Sequence, residues 1–358
     1  MKKICFLTST LNYGGATKIL VELANYLSLY HKVIIVNYGE GENFYKLNAN
    51  VEVIKAPHTK CKIPKLRMLC QMMLLRAFFR KEKYDLIIAF GNTEKIMALS
   101  SSIGRRTKVI ISERQDPYNY HPGKKHTMWL RYLLADGCVF QTRGAMEYFP
   151  EAVKKKSVVI PNFILIDDKK FMPIEKKKKE IAFSARFELR QKRQDVMINA
   201  MKIVASKYPD WKLVFYGDGD DQPDIIRLVK KYQIENNVVF AGKVRAVNEC
   251  IYQSSIMALS SDYEGIPNVI IEAMAMGVPV VATDCSPGGA RLLIKNKENG
   301  LIVPIGDYKK LADAIIFFIE NPNIANEYAK KAMEVKKKYS PDIIFPLWKS
   351  YFEKIMGY

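Results

Sequence analysis

Two glutamates with seven residues between them are the side chains to which this sequence most readily assigns chemistry. Glu264 lies in a predicted loop, and Glu272 lies inside the predicted helix that follows, among apolar side chains. Pro267 suits the start of that helix, where its missing N–H costs nothing. A carboxylate among apolar side chains is unusual unless a ligand requires it.

The same loop offers a place for an anion, because the first N–H groups of a helix have no partner within the helix. Phosphates would bind these N–H groups, one carboxylate would bind sugar hydroxyls, and the other would bind ribose hydroxyls. The combination therefore predicts a nucleotide-sugar site. For an arbitrary pair of glutamates, one capping residue and one surface residue would be the commoner interpretation.

The context of the pair is far more specific than its spacing. Residues 264–273 follow the pattern E-G-x-P-x-x-x-x-E-A, and residues 277–282 follow G-x-P-V-V-A. This segment resembles the retaining glycosyltransferases of family 4, whose hallmark is a Glu-x7-Glu motif in this context. The resemblance implies that Glu264 is catalytic and contacts the donor sugar, while Glu272 binds the ribose. It also implies that the donor lies against the intervening loop residues Gly265, Ile266, Pro267 and Asn268.

Basic residues after the first strand of the second half complete the catalytic set that the resemblance implies. Arg186 and Lys192 match an arginine and a lysine that stabilise the departing diphosphate in the family, a form of charge stabilisation that is usually large. Ala185 stands where the family commonly has glycine, and the neighbouring Arg190 and Arg193 leave the lysine assignment open. Without the glutamate motif nearby, a basic surface turn would be the preferred interpretation.

Several glycine-containing turns are further candidates for contact with the donor. Gly14 and Gly15 precede the first helix and match a Gly-Gly loop that faces the diphosphate in the family. Lys243 and Val244 follow a strand at the place where the family holds the nucleotide base. Gly288 and Gly289 open another helix, and for this pair contact with donor or acceptor and a plain tight turn are equally favoured.

One position departs from the family pattern. Many members have a histidine near the end of a first-domain strand, but this chain has Arg114 there. Arg114 is predicted either to grip an acceptor phosphate bidentately or to be an ordinary surface ion-pair partner. Sugar positioning and acceptor recognition are therefore open at this point.

Composition limits the remaining classes of function. The chain has 358 residues, 49% hydrophobic content and a formal net charge of +19, which favours anionic partners. No aromatic-basic motif for nucleic acid is present, so a nucleic-acid partner is not expected. The six cysteines are scattered and the four histidines lack ligand spacing, so we predict a reducing cytosol, no metal and no cofactor besides the nucleotide-sugar co-substrate. Asp218 and Asp220 resemble a D-x-D metal site, but that loop is predicted to be structural.

Short apolar runs alternate with amphipathic helices along the chain, which predicts an α/β fold of doubly wound parallel sheets. The resemblance implies the GT-B architecture, with two Rossmann-like domains facing across a cleft. We predict an acceptor-binding domain over 1–165 and a donor-binding domain over 166–341. A C-terminal helix at about 342–358 is expected to pack back on the first domain. The charged stretch 167–180, with its lysine run at 176–179, is predicted to be a solvated linker.

The segment 60–83 is apolar, rich in methionine and basic at both ends. A basic amphipathic helix can lie on an anionic membrane, although a methionine stripe more often packs in a core. The net charge favours the membrane, and no apolar run is long enough to span it. We therefore expect a peripheral protein on the cytoplasmic face of the cell membrane.

The sequence thus predicts a metal-independent retaining glycosyltransferase. It would transfer a hexose or N-acetylhexosamine from a nucleotide-diphosphate donor, UDP-linked by preference, to a hydroxyl of a glycan. A polyprenyl-diphosphate-linked glycan is the favoured acceptor, in bacterial surface polysaccharide or glycoprotein assembly. Two alternatives stay open: a non-catalytic GT-B partner subunit, against which the retained motif residues count, and a nucleotide-sugar epimerase.

Overall fold

The computed structural model describes residues 1–12, 14–39, 43–119, 123, 125–166 and 169–357. Its contacts divide the chain into two compact units, Met1–Asn162 with Asp342–Tyr358, and Phe163–Pro341. The division therefore falls slightly before the boundary at 165 that the sequence predicts. The C-terminal segment belongs to the first unit.

In the described part of the first unit, seven parallel strands form one sheet in the order β3-β2-β1-β4-β5-β6-β7. The central strands are buried along nearly their whole length, so both faces of the sheet must be covered by helices. The strands are β1 (Lys3–Thr8), β2 (Lys32–Asn37), β3 (Val51–Lys55), β4 (Leu86–Ala89), β5 (Lys108–Glu113), β6 (Gly137–Phe140) and β7 (Ser157–Val159). The helices are α1 (Gly15–Leu27), α2 (Pro64–Lys81), α3 (Asn92–Ser102), α4 (Lys125–Leu134), α5 (Arg143–Glu147) and α6 (Glu151–Lys154).

The second unit repeats this arrangement with a six-stranded parallel sheet in the order β10-β9-β8-β11-β12-β13. Its strands are β8 (Lys178–Ser184), β9 (Lys212–Tyr216), β10 (Val238–Gly242), β11 (Ser254–Leu259), β12 (Val280–Thr283) and β13 (Leu301–Val303). Its helices are α7 (Leu189–Lys192), α8 (Gln194–Lys207), α9 (Gln222–Lys231), α10 (Val247–Gln253), α11 (Asn268–Ala275), α12 (Gly289–Leu293), α13 (Tyr308–Glu320), α14 (Pro322–Ala332) and α15 (Val335–Lys338). The predicted pair of doubly wound parallel sheets is confirmed.

The strand order of the second sheet determines where a ligand can bind. The chain runs outward from β8 through β9 to β10, then returns to place β11 on the other side of β8. Ligands of open α/β sheets bind beyond the carboxyl ends of the strands, at the point where the order reverses. The segments that follow β8 and β11 are therefore the ones that build the site in this unit.

The last helix, α16 (Pro341–Met356), completes the first unit. Trp348 and Phe352 on it are fully buried. The hydroxyl of Tyr351 accepts a hydrogen bond from the backbone N–H of Cys138 at 2.9 Å, which ties the helix to β6. The buried apolar face of α16 and the hydrogen bond of Tyr351 explain why the chain returns to the first sheet.

The predicted linker is shorter than the sequence indicates. Asp167 and Asp168 lie outside the described residues, but Lys178 to Glu180 already belong to β8, and Lys177 is buried. The ammonium of Lys177 donates to the carbonyl of Tyr252 at 2.5 Å and lies over its ring, and burial lowers the pKa of Lys177 to about 8. The prediction of a solvated lysine run is therefore wrong for Lys177, whereas Lys176, Lys178 and Lys179 are exposed as predicted. A long lysine stem can pack on an aromatic ring while its amine finds a carbonyl.

Candidate functional site

The two segments that follow β8 and β11 meet at the predicted lysine and glutamate. The ammonium of Lys192, at the end of α7, donates to Oε1 of Glu264 at 2.5 Å. Glu264 is only 8% exposed, and its carboxylate also accepts from the hydroxyl of Ser261 at 2.7 Å. A buried carboxylate is costly unless it is paired and hydrogen-bonded. The cation is thus fixed beside the motif glutamate.

The structure separates Lys192, which the sequence favours, from the neighbouring arginines that left this assignment open. Arg193 is committed to two carboxylates, since it pairs with Asp195 at 3.0 Å and with Asp262 at 2.8 Å. Arg190 is exposed on α7. Lys192 alone of these three contacts Glu264, which favours it as the cation for a diphosphate.

Arg186 occupies the turn between β8 and α7, and its side chain is exposed. Its guanidinium pairs with the carboxylate of Glu188. The backbone of this turn is held from one side by the loop that follows β9, because the N–H of Phe187 donates to the carbonyl of Asp218 at 2.7 Å. Arg186 therefore lies on a fixed turn, and its guanidinium is accessible to solvent and to a ligand phosphate.

The loop after β9 has the structural role that the sequence predicts for it. A Cβ at Gly217 would lie 2.1 Å from the carbonyl oxygen of Ala185, so only glycine allows this approach. The carboxylate of Asp221 accepts from the N–H of Leu189 at 2.7 Å, at the start of α7. Asp218 pairs with Lys243 at 2.7 Å. These contacts position the turn that carries Arg186.

Lys243 and Val244 follow β10 directly. Lys243 is exposed and Val244 is partly buried. The carbonyl of Gly242, which has a φ of +67°, accepts from the N–H of Gly217 at 2.8 Å. The strand end is thus fixed to the loop after β9, and its contact with a nucleotide base stays a prediction.

The second motif glutamate lies on α11. Pro267 is the residue immediately before this helix, and Asn268 is its first residue. Ile270, Ile271, Ala273 and Met274 are buried, whereas Glu272 is only partly buried. Glu272 therefore lies at the edge of the apolar face of α11. Part of the residue is accessible to solvent, as contact with a ligand requires.

The loop after β12 packs tightly against the motif loop. The N–H of Glu264 donates to the carbonyl of Ser286 at 2.8 Å. A Cβ at Gly289 would lie 1.8 Å from the carbonyl oxygen of Gly265, whereas a Cβ at Gly288 would have no heavy atom within 4 Å. The structure thus brings Gly288 and Gly289 to the motif, and Gly289 acts there by letting two backbones approach.

Sequence reasoning missed three side chains that hold this centre together. They are Ser261, which bonds Glu264; Gln191, whose amide donates to the carbonyl of Tyr263 at 3.1 Å; and Ser260, whose hydroxyl lies 2.9 Å from the carbonyl of Lys192. The only feature of the sequence that could have identified them is their position. Ser260 and Ser261 follow β11 directly, and Gln191 is the neighbour of Lys192 in α7. Polar side chains at such positions are common, so the signal is weak without the fold.

Cys285, the cysteine beside the motif loop, is not an activated thiol. Cys285 is buried beside the motif loop, and burial, with the charge of Glu264 as a smaller cause, raises the pKa of its thiol to about 12. It is therefore a neutral packing residue. Within the described ranges, no three His, Cys, Asp or Glu side chains are grouped as a metal ion would need. Metal independence stays a prediction.

In the first unit, Gly14 is the residue before α1, as the sequence predicts, whereas Gly15 is already the first residue of the helix. The N–H of Gly14 donates to the hydroxyl of Tyr45, and that hydroxyl lies 3.0 Å from the carbonyl of Gly14 as well. The Gly14 donor that a diphosphate would use is thus held by a tyrosine hydroxyl. A role for this loop in donor binding stays a prediction.

Arg114 follows β5 but does not lie free on the surface. Its guanidinium lies 5.3 Å from the ring of Phe90 and 6.0 Å from that of Trp348, and it donates to the side chain of Asn162. Burial lowers the pKa of Arg114 to about 9, so it remains charged at neutral pH. The interpretation as a surface ion-pair partner is therefore wrong. A contact between Arg114 and an acceptor phosphate stays a prediction.

A cavity of about 520 Å³ opens at the carboxyl edge of the first sheet. It lies beyond β1, β2 and β3 and is covered by the N-terminal half of α2. Its lining includes Ser9, Tyr38, His58, Thr59, Arg67 and Gln71. His58, which can be protonated, and the cation Arg67 lie among hydroxyl and amide side chains, so this lining suits a polar ligand.

Helix α2 has two apolar faces. Gln71, Leu75 and Phe79, spaced four apart, are buried. The other face carries exposed Leu66, Leu69 (51% exposed) and Met73 (65% exposed), and Ile63 just before the helix is also exposed. The core interpretation therefore holds for only one side of the segment 60–83. None of the helices within the described ranges is long and apolar enough to cross a membrane.

Residues 166–335, nearly the whole second unit, match the family model described as glycosyl transferases group 1. A Haemophilus influenzae protein named an uncharacterized glycosyltransferase is 25% identical over 360 residues, covering 98% of this chain and 99% of its own length. A Campylobacter jejuni alpha-1,4-N-acetyl-D-galactosaminyltransferase, named for a PP-undecaprenol-linked saccharide, is 28% identical over 358 residues and covers 97% of each chain.

Among solved structures, HepE of Anabaena in complex with UDP and glucose superposes with a TM-score of 0.82 at 19% identity. The superposition covers 99% of this chain and 100% of that one. At this identity the likeness concerns the fold, and it confirms the predicted GT-B class for a chain made of two parallel-sheet units.

Proposed function

We propose that this chain, whose residues 166–335 match the family model described as glycosyl transferases group 1, is a retaining, metal-independent glycosyltransferase with a UDP-sugar donor. The observation that carries this proposal is the contact of Lys192 with Glu264 at the switch point of the second sheet. The contact puts a cation and a carboxylate where a ligand of this sheet type binds. All four residues of the predicted catalytic and ribose-binding set lie on the segments that follow β8 and β11.

In the proposed reaction the donor binds the second unit with its diphosphate toward Lys192 and Arg186. As the bond from the anomeric carbon to the phosphate oxygen breaks, negative charge grows on the diphosphate, and the two cations stabilise it. Glu264 binds hydroxyls of the donor sugar, and Glu272 binds the ribose. The acceptor hydroxyl attacks on the face that the diphosphate leaves and passes its proton to the departing phosphate oxygen, which keeps the α configuration.

The acceptor is proposed to be a polyprenyl-diphosphate-linked glycan that binds the first unit. The cavity beyond β1, β2 and β3 supplies His58 and Arg67 for an anionic or hydroxyl-rich ligand. Helix α2 lines that cavity and also exposes Leu69 and Met73 to solvent. A site for a polar head beside an apolar surface suits a lipid-linked substrate at an anionic membrane. The protein would then act at the inner face of the cell membrane.

The membrane part of the proposal predicts a specific loss. Replacing Leu69 and Met73 by serine should weaken binding to phosphatidylglycerol-containing vesicles, measured by sedimentation, by about 30-fold. Each exposed apolar side chain adds roughly 1 kcal/mol when it enters the acyl boundary, and the two together add about 2 kcal/mol. The matched control is Leu133→Ser with Leu134→Ser, which removes an exposed apolar pair from α4. Equal sedimentation of the two double variants would contradict membrane contact through α2.

The stereochemistry of the product tests the reaction itself. The protein would be incubated with a panel of UDP-sugars and a short-chain polyprenyl-diphosphate glycan, with a chelator present, and the anomeric protons of the product would be assigned by NMR. We expect an α-linked product and undiminished turnover with the chelator. A β-linked product would exclude retention, and loss of turnover that added magnesium restores would exclude metal independence.

The same assay separates the two alternative functions. A UDP-sugar epimerase would interconvert donor sugars without an acceptor and form no glycosidic bond. A partner subunit without catalysis would turn over none of the donors alone. The intact set of Arg186, Lys192, Glu264 and Glu272 favours the transferase.

A further inference from the structure

A second cavity of the first unit lies at the opposite edge of its sheet. It has a volume of about 570 Å³ and lies beside the residues that precede β1, β4 and β5, with Met356 of α16 on one side. Its cationic lining residues are Lys2, Lys83, Arg105, Arg106 and Lys108, and its one acidic lining residue is Asp85. The cavity is therefore strongly positive.

The carboxylates around this cavity are already engaged. Asp85 accepts from the backbone N–H of Lys3 at 2.8 Å, and Glu82 accepts from the ammonium of Lys3 at 2.6 Å. Asp136 accepts from Lys108 at 2.9 Å. These acids cannot neutralise the other cations as well, so a net positive field remains.

Three of the cations are available to a ligand. Lys83 and Arg106 are exposed, and neither has a carboxylate partner in the described part of the chain. Arg105 uses one guanidinium nitrogen on the carbonyl of Glu82 at 3.1 Å, while its other terminal nitrogen is buried without a hydrogen-bond partner. A buried donor left unpaired is costly, and an anion in the cavity would satisfy it.

The position of the cavity separates it from the proposed reaction. Substrates of a parallel α/β sheet bind at the carboxyl ends of its strands, whereas this cavity lies at the amino ends. It is next to the C-terminal end of α2, whose last turn carries Arg80 and Lys81. Ile103, which is 63% exposed, immediately precedes the Gly104–Arg105 turn.

We propose that this cavity binds a phosphate-bearing anion outside the active site. Arginine forks recognise phosphate oxygens bidentately, and Lys83 adds a point charge. Because the cavity adjoins the basic end of α2, the phosphate of an anionic lipid headgroup is the favoured source. The choice of a lipid headgroup rests on the proposed membrane-bound function, whereas the proposal of an anion site does not depend on it.

The test is the double variant Lys83→Glu with Arg106→Glu, since both side chains are exposed and their loss leaves the fold intact. The matched control is Lys230→Glu with Lys231→Glu, an exposed pair on α9 with the same change of charge. Binding of inorganic pyrophosphate would be measured by calorimetry. Sedimentation with vesicles of phosphatidylglycerol in phosphatidylcholine would be measured in parallel.

We expect Lys83→Glu with Arg106→Glu to bind pyrophosphate, the vesicles or both at least about tenfold more weakly than wild type. The control should show no such loss with either probe. Loss in the vesicle arm alone identifies a lipid headgroup, and loss in the pyrophosphate arm identifies a soluble phosphate compound. Equal behaviour of the two double variants in both arms would overturn the proposal, as would a wild-type protein that binds neither probe. UDP binding by the same preparations should be unchanged, so failure here is distinct from failure of the proposed transferase.

Discussion

Lys192→Ala is expected to lower kcat for sugar transfer by about 10²–10³-fold, which is the usual effect of removing one preorganised charge from the transition state. The ammonium of Lys192 is held 2.5 Å from Oε1 of Glu264, so it needs little reorganisation when the diphosphate departs. KM for the donor should change much less than kcat, because the charge on the diphosphate is greatest in the transition state.

The matched control for this prediction is Arg190→Ala. Arg190 belongs to the same short helix and carries the same charge, but it is exposed and has no contact with Glu264. Its kcat should stay within about threefold of wild type. Circular dichroism must accompany both measurements, because Glu264 loses its cation in the first variant and is 8% exposed. Equal loss of kcat in both variants would contradict the proposal that Lys192 stabilises the departing diphosphate.

Gly289→Ala is expected to disable the site without touching a charged residue. A Cβ at this position would lie 1.8 Å from the carbonyl oxygen of Gly265, so the loop after β12 or the motif loop must move. Overpacking of this kind costs about 1–3 kcal/mol of folding stability. A misplacement of about 1 Å in a catalytic loop can cost about 10²-fold in rate. We therefore expect kcat/KM to fall by about two orders of magnitude.

Gly288→Ala provides the comparison. Gly288 has a φ of +95°, so alanine there is strained by about 1–2 kcal/mol, but its Cβ meets no heavy atom within 4 Å. The two variants should lose comparable stability in thermal unfolding, while only Gly289→Ala loses most of its activity. Similar activity in both variants would show that the close approach of the two loops does not position the catalytic residues.

The fold could be predicted from the sequence because its signals are local. Buried strands rich in Val and Ile alternate with helices, and this alternation leaves few arrangements other than parallel doubly wound sheets. The segment from Glu264 to Glu272 was recognisable for a similar reason, since it is one continuous loop and helix. Its N-terminal proline and its apolar helix face can be read directly from residues 264–274.

The contacts that assemble the site could not be predicted in this way. Lys192 meets Glu264 because α7 ends at Arg193, which adopts a left-handed conformation with a φ of +51°. No sequence rule states that an arginine will take that conformation, and so Arg190 and Arg193 left the assignment of Lys192 open. The burial of Lys177 likewise depends on Tyr252, which is distant in the sequence.

The face that α2 exposes was also beyond sequence reasoning. Leu66, Leu69 and Met73 are as apolar as the residues on the buried face. Periodicity identifies two apolar stripes, but it does not say which of them the sheet covers. Only the packing of Leu75 and Phe79 settles the orientation of the helix.

The most direct test of the central claim is calorimetric titration of UDP and a panel of UDP-sugars into the wild-type protein, Glu272→Ala and the control Glu235→Ala. Glu235 is an exposed glutamate of the same unit. We predict that wild type and control bind UDP and one UDP-sugar, and that Glu272→Ala binds both about 10–100-fold more weakly, as loss of a hydrogen bond to a carboxylate implies. Equal affinity of the three proteins, or no binding of any nucleoside diphosphate, would contradict the assignment of this site.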